Sequence, residues 1–168
     1  MNLTSGSWQL AQLNVGRTLA PLDTPQLADF VNQLDAINAL AEASPGFVWR
    51  LIGDNNNSTS VRPADDPDLL VNMSVWTSAE ALFDYVYKSM HTKVMVRRRE
   101  RFAKIETFQV LWWVPAGHRP TVAEAMARLE LLRAHGPSPD AFTFKRRYPA
   151  PGEVGEPTNM KPEPYCVA

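Results

Sequence analysis

Residues 8–15, WQLAQLNV, alternate along an extended chain. Leu10, Gln12 and Asn14 share one face, and Ala11, Leu13 and Val15 share the other. This period of two predicts a first strand. The period then changes: Leu27, Phe30, Val31, Leu34, Ile37 and Leu40 recur at helical spacing. Thr24 stands before them as a helix cap, and Pro25 follows at the first helical position, where a missing N–H is harmless. Ser44-Pro45-Gly46 ends that helix, and residues 47–52 read as a short aromatic strand.

The run GDNNNSTSVRPADDPD is polar and turn-rich, an exposed loop between neighbouring strands. Residues 69–76 form the third predicted strand. Thr77 with Glu80 makes a T-x-x-E capping box for a second helix, whose apolar stripe is Leu82, Phe83, Val86, Met90 and Val94 and which is expected to continue, bent or broken near Ser89, to about Phe102. Residues 108–114, FQVLWWV, give a fourth strand closed by Pro115.

The resulting order, β-α-β-β-α-β, is the ferredoxin-like split βαβ unit, an α+β fold with an antiparallel sheet. An extra C-terminal helix and strand follow. Thr121 with Glu124 opens the helix, Gly136-Pro137 ends it, and AFTFKRRY at 141–148 is the strand. Residues 1–148 are thus the predicted domain. Residues 149–168 hold five prolines and two glycines and read as an extended tail outside the core.

Both parities of the predicted strands are largely apolar. Leu69, Val71, Met73 and Val75 oppose Leu70, Asn72, Ser74 and Trp76; Val110, Trp112 and Val114 oppose Leu111 and Trp113. Such a sheet needs a cover on each side. Two helices cover one face, which leaves the other to the C-terminal segment or to a second subunit. A homodimer with its sheets facing one another is the expectation.

Composition narrows the function. With 168 residues, 45% hydrophobic and 21% charged, the chain is of globular type and fits one domain. A net charge of −1 argues against nucleic acid as a partner, and the run Arg97-Arg98-Arg99 reads as a solvated helix face. No stretch reaches the roughly 20 apolar residues of a membrane span. A single cysteine, Cys166, and no secretion signal suit a reducing, cytoplasmic setting. No metal, nucleotide or serine-hydrolase motif is present, so no cofactor is expected.

The candidate chemistry lies around the third strand. Asn72 interrupts an apolar strand, where a buried amide needs partners and can hold a substrate carbonyl or an enolate. Trp76 shares its parity and offers an aromatic wall. His91, one helical turn beyond Tyr87, suits proton transfer. His118 reads as a turn residue on the third helix, and His135 as a partner of that helix's dipole. Asn14, Trp112 and Arg50 complete the residues expected to bind a small apolar or aromatic molecule.

Three stretches carry a resemblance: QLNVGR-x-x-APLD near the start, SPGFVWRL at 44–51, and VNMSVW-x-S-x-EAL, completed by LWWVPAGHRPTVAEAMARLE-x-LRAHGPSPDAFTF. Together they resemble an uncharacterised bacterial and fungal family within the dimeric α+β barrel superfamily, over about residues 8–148. That superfamily includes cofactor-independent monooxygenases of antibiotic biosynthesis, haem-degrading monooxygenases and small stress proteins. The resemblance to the first implies that Asn72 and Trp76 line a pocket. Resemblance to the haem branch would engage Asn14, Trp76 and His91. Three readings follow in this order: a monooxygenase-like enzyme acting without a cofactor, with His91, Asn72 and Tyr87 catalytic; a non-catalytic dimeric binding or stress module; and a haem-binding protein.

Overall fold

The computed structural model describes residues 7–90 and 102–159. His91, Arg97-Arg98-Arg99 and Cys166 lie outside the described residues, and so does the expected extension of the second helix towards Phe102. Within them the elements are β1 (Trp8–Gly16), a 3-10 turn (Pro25–Leu27) leading into α1 (Ala28–Ala43), β2 (Phe47–Arg50), β3 (Leu70–Trp76), α2 (Ala79–Met90), β4 (Gln109–Pro115), α3 (Val122–His135), β5 (Arg146–Arg147) and β6 (Thr158–Asn159). Strands β1 to β4 form one antiparallel sheet in the order β2-β3-β1-β4. That order is the ferredoxin-like one, with β1 and β3 central because the two βαβ halves interleave.

Local chemistry sets the element ends. Thr121 Oγ1 accepts from the Glu124 N–H at 3.1 Å, so the second capping box forms where its spacing places it. The first is displaced by one residue. Ser78, not Thr77, caps α2, accepting from the Ala81 N–H at 3.1 Å. Thr24 likewise caps no helix with its side chain; its hydroxyl donates to the Pro21 carbonyl at 2.6 Å, and the helix enters through the 3-10 turn. The strand expected over 141–148 is reduced to a bridge between Phe142 and Leu111 and the short β5, which pairs with β6.

The two sheet faces differ. Ala11, Leu13, Val15, Val71, Met73, Val75, Val110, Trp112 and Val114 form one buried face, closed by Ala125, Leu129 and Leu132 of α3. On the other face Leu10, Trp76 and Leu111 pack with Ala41 of α1, with Ala79 and Leu82 of α2, and with Phe142 and Phe144. The C-terminal helix therefore supplies the second cover. A sheet-to-sheet homodimer, expected because one apolar face lacked a cover, is not needed to bury it.

Helix α1 lies against the sheet mainly by its C-terminal half, where Asn38 and Ala41 are its buried residues; Val31, expected in its apolar stripe, is exposed. Gly46 at the α1–β2 turn has φ +85°, and a Cβ there would lie 2.4 Å from the Ala81 Cβ and 2.6 Å from Thr77 Oγ1. Only glycine allows α2 to start so close to this turn. Past β5, Ala150 is buried while residues 151–156 are exposed.

Because α3 is an integral wall, Leu129→Ala should cost about 2–5 kcal/mol, as a fully buried leucine does. Urea denaturation checks this. A loss under about 1 kcal/mol would mean that α3 is a loose appendage.

Candidate functional site

The sheet face beneath α1 and α2 carries a polar strip. The β1–β3 register places Gln12 opposite Ser74 and Asn14 opposite Asn72, so four polar side chains of one parity meet. Gln12 is their hub. Its Nε2 donates to Asn72 Oδ1 at 3.0 Å and to Ser74 Oγ at 2.8 Å, while its Oε1 accepts from Asn14 Nδ2 at 3.0 Å. The Trp76 indole N–H donates to the same Ser74 Oγ at 2.8 Å. Gln12, Ser74 and Trp76 are buried, Asn14 is half-buried and Asn72 is exposed. The strip thus runs from a closed, aromatic end to an open, amide end.

At the closed end Trp76 is held on two sides. Phe47 meets it edge-on at 5.5 Å, and the Tyr85 ring stacks on it at 5.0 Å with a 21° angle between planes. Arg50, opposite Ser74 in the β2–β3 pair, is 6% exposed. Its charge is met by Glu42 of α1 through a 2.7 Å bond from Nε, and its Nη atoms donate to the Asn56 carbonyl at 3.0 Å and to Asn56 Oδ1 at 2.9 Å. Arg50 therefore ties β2 to α1 and to the following loop, and these partners engage each of its three nitrogens.

Burial pushes the Tyr85 phenol up to about 12, with the nearby Arg50 charge offsetting only part of the effect. At neutral pH Tyr85 is thus a neutral hydroxyl and no base.

Among the expected residues, Asn14, Asn72, Trp76 and Arg50 share this face. Trp112 does not join them. It belongs to the opposite face under α3, where its indole N–H donates to Glu124 at 3.3 Å. Tyr87 is 49% exposed, and the tyrosine against Trp76 is Tyr85, two residues earlier. His118 does engage the third helix, its Nε2 lying 2.8 Å from Glu124 Oε2. Gln12 and Tyr85 join the strip without having been singled out in the sequence. The signal for Gln12 was there in the matching parity of Gln12/Asn14 and Asn72/Ser74. Among the described residues no cluster of histidine, cysteine and carboxylates could hold a metal ion, and no helix is long and apolar enough to cross a membrane.

Fold and strip define the class: an α+β, ferredoxin-like unit with an added C-terminal helix. Residues 9–157 match the family described as domain of unknown function (DUF3291), and the chain belongs to it. No curated protein sequence matches the chain. Among solved structures it is similar to SnoaB, a cofactor-independent oxygenase from Streptomyces nogalater, at 17% identity over 69% of this chain and 98% of that one, with a TM-score of 0.42. It is also similar to a conserved protein from Methanosarcina mazei Go1, at 9% identity over 66% and 94% with a TM-score of 0.45. MupZ from Pseudomonas fluorescens matches at 12% identity over 89% and 99%, with a TM-score of 0.40. These are likenesses of fold.

The buried phenol has a measurable consequence. The folded state keeps the Tyr85 proton to about pH 12, whereas an unfolded tyrosine releases it near pH 10, so this group's contribution is intact below pH 10 and is lost as pH rises towards 12. Within that window the wild type should lose stability relative to Tyr85→Phe with a slope of up to about 1.4 kcal/mol per pH unit. Denaturation curves of the two proteins between pH 9 and 12 check it, and parallel pH dependences would contradict the assignment.

Proposed function

We propose that the chain is a small-molecule enzyme of monooxygenase-like type, acting without a cofactor on a planar aromatic or polyketide-like substrate that carries a carbonyl. The observation that carries this is the state of Asn72. Gln12 consumes its Oδ1, so the exposed amide is oriented with Nδ2 as the donor left over, and among the described residues Nδ2 has no acceptor. An amide held in this way is a preorganised partner for an oxygen that gains negative charge.

On this reading the substrate loses a proton from a carbon next to its carbonyl. The enolate oxygen accepts from Asn72 Nδ2, and the carbanion reduces dioxygen. A methylene and one dioxygen yield a carbonyl and one water, so the substrate supplies all the electrons. The polar strip holds amides, a serine, an indole, an arginine engaged by Glu42 and a neutral phenol. None of these takes the proton at neutral pH, so the substrate's C–H must be acidic by virtue of its own conjugation, or His91 takes the proton. The same fact favours a second reading, a non-catalytic binding module whose strip only orients a ligand.

Oxygen uptake with a panel of tricyclic aromatic ketones, alongside ligand binding followed by tryptophan fluorescence, separates the two. Asn72→Ala should lower the rate about 10²-fold or more, the usual loss for one oxyanion donor, and leave the melting temperature nearly unchanged. Saturable binding with no oxygen uptake would establish the binding module. Unchanged kinetics in Asn72→Ala would remove the strip from the chemistry.

A further inference from the structure

A concavity lies beyond the closed end of the strip, separated from Asn72 by the packed Leu10, Trp76 and Phe142. It is a groove of about 620 Å³, within the size range of small-molecule sites. The starts of β1 and α2, the end of β4 and residues 147–158 form its walls. Trp8, Trp113 and Tyr148 give it flat apolar surface, and Trp113 is fixed by the bond from its indole N–H to the Tyr148 carbonyl at 3.0 Å.

Arg147 is the anomaly in this groove. Its side chain is 15% exposed, yet no side-chain hydrogen bond ties it to the described residues, and its Nε is buried with no partner. The guanidinium lies over the Phe83 ring at 5.6 Å. Its sole counter-charge among the described residues is Glu80 Oε1 at 3.9 Å, on a side chain 80% exposed to water. Arg50 shows what this fold does with a structural arginine: it meets Nε and both Nη atoms with protein acceptors at 2.7–3.0 Å. A mostly buried guanidinium left without such partners is costly for the fold alone. It suits an acceptor that arrives from outside, since the planar fork matches a carboxylate.

We infer that this groove is a second ligand site, taking a small flat molecule with one carboxylate, the acid on Arg147 and the ring between Trp8, Trp113 and Tyr148. Glu80, Glu153 and Glu156 also line the groove. They favour a single negative charge over a phosphate dianion.

The test uses the full chain with 2-naphthoate as probe, by calorimetry and saturation-transfer NMR. Inorganic phosphate and 2-naphthylmethylamine serve as comparisons. Naphthoate should bind saturably and more tightly than either. Arg147→Met, with its fold checked by circular dichroism, should weaken binding at least tenfold. Glu80→Gln changes an exposed side chain and removes the competing carboxylate, so it should tighten binding several-fold and decides the matter if Arg147→Met does not fold. Absence of saturable binding, wild-type affinity in a folded Arg147→Met, unchanged or weaker affinity in Glu80→Gln, or preference for the amine or for phosphate would each overturn the assignment.

Discussion

The pairing of β1 with β3 is the constraint on which the rest depends. It sets Gln12 against Ser74 and Asn14 against Asn72 on one face, and Leu13 against Met73 and Ala11 against Val75 on the other. A slip of one residue would turn the amides into the apolar layer under α3 and the apolar side chains towards α1 and α2. Buried amides there would lack partners and cost the fold heavily. The hub at Gln12 therefore works twice, as a register lock and as the group that orients Asn72.

Arg50 extends the same logic sideways. Edge strand β2 is short and carries a register irregularity between Phe47 and Trp49. A buried arginine joined to Glu42 and Asn56 fixes this weak edge to α1 and to the long loop. Removing Glu42 would leave the charge uncompensated, and removing Asn56 would leave buried donors unpaired, which is why such networks tolerate change poorly. The aromatic end of the strip inherits this rigidity, because Arg50 lies beside both Ser74 and Tyr85.

Strand parity made the sheet, its order and the shared face of Asn14, Asn72 and Trp76 legible in the sequence. It also had Trp112 opposite to Leu111 and Trp113, so its place on the far face was already implied when it was grouped with the site. Helix phase was harder to read. The stripe through Leu82 and Val86 continues at Tyr85, while Tyr87 lies about 140° around the helix from Leu82 at 100° per residue. Its spacing from His91 singles out Tyr87, whereas the tyrosine that stacks on Trp76 is Tyr85. The cover provided by α3 was one of two possibilities, because an apolar face does not say whether its cover comes from the same chain. That Arg147 is mostly buried with its Nε unbonded was illegible, since a basic residue in a run of KRR reads as solvated until its neighbours in space are known.

Gly46 has a wider meaning than its own turn. Its backbone touches the start of α2, and that start supports Tyr85 on one side and Ser78 and Glu80 on the other. The aromatic end of the strip and the groove are therefore measured from one mechanical datum. Side chains lining the groove can diversify without moving this datum. Any bulk added at this datum would shift the strip's aromatic end and the groove together, so it is the point at which their geometries are inherited as a pair.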